Sequence, residues 1–451
     1  MTRLRTPSTK LFTVLLLAFS LFFTQAAVFA AEPQTFAARE DGAAQVKQFL
    51  QEKFGVGLSG TITKADFIQA IARILGYKPS GKEVVFSDLP ANHPSYASAA
   101  ALYENGILDG PAVQGEETLT KSVAVSIAVR AAGIKELAYT YPAEKIDKAL
   151  GSLQVTGASY ANKVAQELAS AVDTGLLPDS FFAGFRSGIT ADEQLVNALL
   201  GKVLVTKGLY KKYIGYVNDP DIYAKLNGAY DSSDIIDVPK LQKLVNTALE
   251  QNLITGYSLK DTRFEPNFIP SLSLIYGHSD LTHAIQLIGL LRSEGLNAKV
   301  QFEPKTSAFI HLAEWGDPGP NVVKIANGNY IAYAKEYDLA FEFSTAEDKA
   351  AFQQVVLTYA KKNVKDQTGL IAGSWWQPLY YSSTELKDYE RITNNFITDK
   401  DSPYTANPFS LNEDSAKVVE GLKAIDKDAV VTPIQFWVDK PFFNYLHGEA
   451  L

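Results

Sequence analysis

The chain contains no cysteine. That absence excludes disulfide staples, thiolate zinc centres and cysteine nucleophiles together. An exported protein of this length can nonetheless fold without disulfides, because its core can be large enough. Positive charge is also short: 42 Lys and Arg face 50 Asp and Glu, a formal net charge of -8. The basic footprint of a nucleic-acid-binding protein is therefore missing, and no nucleic-acid partner is expected. Beyond the first thirty residues no apolar run approaches the ~20 residues of a membrane span. No G-x-S-x-G elbow, Walker loop or Rossmann fingerprint occurs, so no motif supports an enzyme. What is present is 46% apolar content in 451 residues, with only 20% charged residues and abundant Tyr and Phe. Such a chain folds, and it has room for two or three domains.

Residues 1–30 read as a signal peptide. Arg3, Arg5 and Lys10 give a positive start, Leu11 to Phe23 an apolar run, and Val28-Phe29-Ala30 a small-residue cleavage site. An uncleaved anchor is the alternative, but the run is shorter than a span requires. The expected mature protein is exported, not transmembrane, and soluble or wall-associated.

Residues 31–57 lead in, with Val46, Phe49, Leu50 and Phe54 close to helical spacing. Thr63 then caps a helix, and Asp66 three residues on completes a capping box. Phe67, Ala70, Ile71, Ile74 and Leu75 give the helix one apolar face, and Gly76 ends it. A turn-rich stretch leads to a second helix with Tyr96, Ala99, Ala100 and Tyr103 on one side, stopping near Gly106. Two short helices cannot bury their faces alone, so such units come in multiples. Weaker copies begin at Leu119-Thr120-Lys121-Ser122 and at Ile189-Thr190-Ala191-Asp192-Glu193. The second closes through Val164 to Leu168 and Gly175-Leu176-Leu177. The third closes through Val238-Pro239-Lys240-Leu241 to Ile254-Thr255-Gly256, with Tyr230-Asp231-Ser232 standing for Phe86-Ser87-Asp88 of the first.

Ile62-Thr63-Lys64-Ala65-Asp66-Phe67, Phe86-Ser87-Asp88-Leu89 and Asn105-Gly106-Ile107-Leu108-Asp109-Gly110 resemble the motifs of S-layer homology repeats. Gly256-Tyr257 with Phe264-Glu265-Pro266-Asn267 is similar to the run that ends such repeats. The resemblance covers residues 58–116, 117–186 and 187–268 as three repeats. It implies a compact all-α helical trimer of repeats whose grooves bind anionic, often pyruvylated, secondary cell-wall polysaccharide. That would hold an exported protein on the cell wall or S-layer of a Gram-positive-type envelope, with envelope or S-layer proteins as possible neighbours. By the resemblance, Lys64 and Lys121 occupy the basic groove position and Tyr96 is a sugar-facing or packing aromatic. Lysine there lacks the bidentate fork of the family's arginine. The third copy carries Ala191 at this position, so its groove lacks a cation. Asp66 and Glu193 read as capping residues rather than ligands.

Residues 269–451 resemble no family. Strands are expected at Ser271 to Tyr276, Ala298 to Phe302, Tyr330 to Phe343, Trp375 to Tyr381 and Thr432 to Val438. Helices are expected after Ser279-Asp280, after Thr345 and from Ser415 to Ile425. The order suggests a ferredoxin-like α+β domain. Its one chemical constellation is His278, Asp280 and His283, with His311 and Glu314 further on; two histidines and a carboxylate hold zinc if a third ligand joins them. His278 and His283 lie about 140° apart round a helix, so both face one metal only if His278 precedes the helix. Asp280 reads more simply as a helix-start charge. Trp315, Trp375 and Trp376 suit sugar stacking or core packing. The expectation is an envelope anchor without a cofactor; the alternative is a wall-anchored hydrolase, metal-dependent or not, with its site in the second half.

Overall fold

The computed structural model describes residues 41–318, 322–359 and 379–449. The signal-peptide reading of 1–30, the first part of the lead-in, and Trp375 and Trp376 lie outside them. Among the described residues no helix is long and apolar enough to cross a membrane.

The first unit is helical: α1 (Ala43–Phe54), α2 (Lys64–Ile74), α3 (Tyr96–Glu104), α4 (Lys121–Ala132), α5 (Lys135–Ala138), α6 (Ala143–Gly151), α7 (Asn162–Asp173) and α8 (Glu193–Thr206). Local chemistry starts these helices. The Thr63 hydroxyl accepts from Asp66 N at 3.2 Å while Thr63 N donates to the Asp66 carboxylate at 2.9 Å, so the capping box is formed. Thr120 caps α4, and Asp192, not Glu193, caps α8. Glu193 instead pairs with Lys47 at 2.6 Å. The starts of α2, α4 and α8 are strung together by backbone bridges, Thr63 to Thr118 and Thr120 to Thr190. Phe67, Ile71, Val125, Val129, Leu195 and Leu199 are fully buried in the core they share.

The chain then leaves this unit. It continues through β1 (Gly215–Tyr216), α9 (Ile222–Asp231), α10 (Pro239–Glu250), β2 (Gly256–Asp261), β3 (Ser273–His278), α11 (Leu281–Ser293), β4 (Ala298–Ile310), β5 (Val322–Lys324), β6 (Tyr330–Phe343), α12 (Ala346–Tyr359), β7 (Leu379–Ser382), β8 (Glu390–Thr398), β9 (Tyr404–Ser410), α13 (Ser415–Ile425), β10 (Val430–Val438) and α14 (Lys440–Leu446). Eight of these strands close on themselves in the order β4-β2-β9-β8-β10-β7-β3-β6, with β6 returning to β4. Every pairing is antiparallel, and β4 and β6 run side by side from Ala298↔Phe343 to Ile310↔Ile331. β1 and β5 extend the edges of β4 and β6.

This closed barrel overturns both halves of the expected architecture. Residues 58–268 do not form an all-α trimer of three repeats. The helix expected to close the third repeat, α10, is amphipathic as its sequence indicates. However, Leu241, Val245 and Leu249 pack on the sheet residues Tyr257, Leu259, Ile397 and Ala406, and Gly256-Tyr257 opens a barrel strand. An apolar stripe specifies a helix and a buried face, but not the partner that covers it. The second half is likewise not a ferredoxin-like sandwich, because β2, β8 and β9 complete a ring that the other strands alone leave open.

The barrel is inverted relative to a common hydrophobic core. Outward residues Val300, Phe302, Leu339 and Phe341 are buried under α9, α11 and α12. The inward positions of β4 are Lys299, Gln301, Glu303, Lys305 and Ser307; those of β6 include Glu336, Asp338 and Glu342; all are buried. Charges in such a place must be paired. Lys305 meets Asp338 at 2.8 Å and Lys260 meets it at 2.5 Å, while the Tyr381 hydroxyl donates to Asp338 at 2.7 Å. Gly277 on β3 makes this possible: a Cβ there would stand 2.7 Å from Asp338 Oδ1 and 2.8 Å from Lys305 Nζ. At the end facing the helical unit, Asp41 accepts from Lys211 and Lys299 at 2.6 Å each, and both lysines also reach Glu342. At the opposite end the Tyr445 hydroxyl of α14 donates to the carbonyls of Thr255 and Ile310.

Candidate functional site

A groove of ≈ 370 Å³ opens between the first helix-loop-helix unit and α4. Lys64 and the turn Asp109-Gly110 line one side; Ser122, Ser126 and Arg130 line the other, with Tyr160 and Val164 closing it. Capping fixes Lys64 in the first turn of α2. Ser122, Ser126 and Arg130 recur every four residues and so share one face of α4.

Arg130 is committed to the protein. Its guanidinium donates to buried Glu167 at 2.6 and 3.2 Å and approaches Asp109 at 3.1 Å, and Tyr139 donates its hydroxyl to the same Glu167. Lys64 is held far less firmly, its ammonium reaching only Gln114 Oε1 at 3.4 Å. Burial pushes its pKa below the usual lysine value; Glu117 and Asp88 oppose that shift and Arg130 adds to it. Two hydroxyls in the groove wall, Ser126 Oγ and Tyr160 OH, are shielded from solvent and make no hydrogen bond among the described residues. An unpaired buried hydroxyl carries a desolvation penalty of ~1–3 kcal/mol. A loosely held cation in an open groove suits an anionic ligand.

The other expected residues sit elsewhere. Lys121 is mostly buried, lies 3.8 Å from Asp192 and does not line this groove. Tyr96 donates its hydroxyl to Val84 O at 2.6 Å and sets its ring edge-on to Phe86, so it packs. Ala191 is buried. His278 does precede its helix and meets His283, Nε2 to Nδ1, at 2.6 Å. Asp280 caps the helix through Thr282 N. Among the described residues no group of three His, Asp or Glu side chains is placed to hold a metal ion. His311 contacts Gly316 O, and Trp315 packs against Phe309 and Tyr445. Sequence reasoning missed Ser126, Arg130 and Tyr160; the spacing of Ser122, Ser126 and Arg130 was the available signal for the first two.

No protein-family model matches the chain. No curated protein matches it at a significant level.

Proposed function

We propose that the groove at Lys64 binds an anionic, hydroxyl-rich wall polysaccharide, and that the chain is an exported envelope protein held non-covalently by that contact while presenting its barrel. The observation that carries this reading is the weakly engaged Lys64 ammonium in a groove of ≈ 370 Å³. The resemblance of the Lys64 motif to wall-binding repeats supports the same ligand class. Lys121, paired with Asp192 outside this groove, has a lesser part.

The test is titration of the protein with purified wall polysaccharide before and after removal of its acidic substituents. A charge-assisted hydrogen bond contributes ~1.5–3 kcal/mol. Lys64→Met should therefore weaken binding of the intact glycan by about 10- to 150-fold, and stripping the acidic groups should erase the difference between the two proteins. Equal affinity of wild type and Lys64→Met for the intact glycan refutes the assignment.

A further inference from the structure

At the rim of the Lys64 groove, one guanidinium meets two carboxylates. Among the described residues the charged side chains lining the groove are Lys64, Arg130 and Asp109. Buried Glu167 takes two hydrogen bonds from Arg130, from Nε at 2.6 Å and from Nη2 at 3.2 Å, and a third from the Tyr139 hydroxyl. That pair is complete in itself, because both Glu167 oxygens are engaged and the two charges cancel. Asp109 adds a second carboxylate, 3.1 Å from the remaining nitrogen, Nη1.

The two contacts differ in burial. The Glu167 side chain has no exposure, whereas that of Asp109 is 53% exposed. The backbone beneath Asp109 is fixed. Ile107 and Leu108 are buried, the Gly106 carbonyl accepts from Lys135 at 2.9 Å, and positive φ at Gly106 and Gly110 shapes the turn on either side. Among the described residues Arg130 is the only ion-pair partner of this carboxylate. Rotation of the Asp109 side chain alone therefore frees Nη1 and leaves the turn in place. The freed nitrogen would face a groove that also holds the Lys64 ammonium, and Arg130 is close enough to help depress the Lys64 pKa.

Granted that this groove is the anion site, as proposed above, we infer that Asp109 is its internal counter-anion: it holds Arg130 Nη1 and yields it to an anionic group of the ligand, and so limits how tightly that group is held. The physics is a competition. An incoming anion gains Lys64 and Nη1 and loses nothing at Glu167, but it displaces a carboxylate whose charge also repels it. A neutral ligand gains nothing from that displacement. Asp109 thus acts through Arg130 as a positioning residue, and its effect depends on the charge of the ligand.

The experiment is calorimetric titration of the mature protein with purified wall polysaccharide, intact and stripped of its acidic substituents. Wild type is compared with Asp109→Asn, Asp109→Ser and Lys64→Met. Both Asp109 variants should bind the intact glycan more tightly by about 2- to 5-fold, the scale of a half-exposed ion pair. They should bind the stripped glycan as wild type does, and their melting temperatures should stay close to wild type because Glu167 retains Arg130. Unchanged or weaker binding of the intact glycan by both Asp109 variants, with Lys64→Met still impaired, overturns the role of Asp109 and leaves the wall-binding reading standing. Equal tightening toward intact and stripped glycan also overturns it, since charge would not be the cause. Equal binding of the intact glycan by wild type and Lys64→Met overturns both.

Discussion

Two buried groups in the barrel unit should pull its stability in opposite directions as pH falls from 7 to 5. Asp280 N donates to His278 Nδ1 at 2.7 Å, so neutral His278 carries its proton on Nε2 and donates it to His283 Nδ1. A second proton on His278 would break the Asp280 contact. Burial pushes this imidazole down to about 3, with His283 and Lys305 reinforcing the shift and Asp280 opposing it. Its unfolded value is ~6.5. The folded form thus resists a proton that the unfolded chain accepts, so this stability is complete above ~6.5 and is lost as pH falls toward 3. Linkage gives a loss of about 2 kcal/mol between pH 7 and pH 5. Burial of His283 lowers its pKa too, which adds a loss of the same sign. Glu303 does the reverse. Burial raises its carboxyl to about 7, with Asp338 adding and Lys260 opposing. Here the folded state holds the proton more tightly, so stability rises as pH falls through 7, by about 2 kcal/mol at pH 5. Urea denaturation followed by tryptophan fluorescence should therefore show wild type changing little over this range. His278→Gln should become more stable on acidification by about 2 kcal/mol relative to wild type, and Glu303→Gln less stable by a similar amount. Parallel pH dependence in all three proteins would refute the assignment of these groups.

Three further outcomes follow from single contacts. Tyr160→Phe removes an unpaired buried hydroxyl. Its melting temperature should hold or rise; a clear loss of stability would show that the hydroxyl has a structural partner. Gly277→Ala drives a methyl to 2.7 Å from Asp338 Oδ1, and its urea midpoint should report a loss of ~1–3 kcal/mol. Asp338→Ala strands Lys260 and Lys305 without their shared partner and should cost ~3–5 kcal/mol, read from the same denaturation curves.

The helices were legible because each carries its own signals. Thr63 with Asp66, and the stripe from Phe67 to Ile74, specify α2 without reference to the rest of the chain. The barrel was not legible, because its evidence is relational. β8 and β9 contain Asn394, Asn395, Asn407 and Pro408, residues that disfavour strands in isolation. They are tolerated here because Asn395 bonds to Ser410 and Ser415 and Asn394 to Asn407. β4 was anticipated only as far as Phe302 because Glu303, Pro304 and Lys305 follow; the role of Glu303 and Lys305 in a paired lumen layer depends on Asp338 and Lys260, far away in sequence. In the candidate groove, the helix-start pattern exposed Lys64. Tyr160 lies on a connection whose place beside α4 only the tertiary structure supplies.

The sequence suggests a boundary at residue 268, and the packing across it shows how the two parts hold together. Ile269 and Leu272, which follow that boundary, pack into the helical core, while α10 and β2, which precede it, belong to the barrel. The chain therefore crosses between the units three times: into the barrel at Tyr210-Lys211, back to the helical core around Phe268, and into the barrel again at β3. The first two of these crossings converge on Asp41, Lys211, Lys299 and Glu342. Tyr210 donates to Asp41 at 2.7 Å, and Ile269 N donates to Glu342 at 2.7 Å. Burial alone would raise the Asp41 carboxyl, but the two ammoniums hold it below its usual value. Four buried charges that satisfy one another only when both units are present make separation costly, since removing one partner of a buried pair costs ~3–5 kcal/mol. The helical unit and the barrel are thus one body rather than a module and its cargo. Under the proposed function, a glycan held at Lys64 would fix the barrel's orientation as well as its location, which a flexible tether could not do.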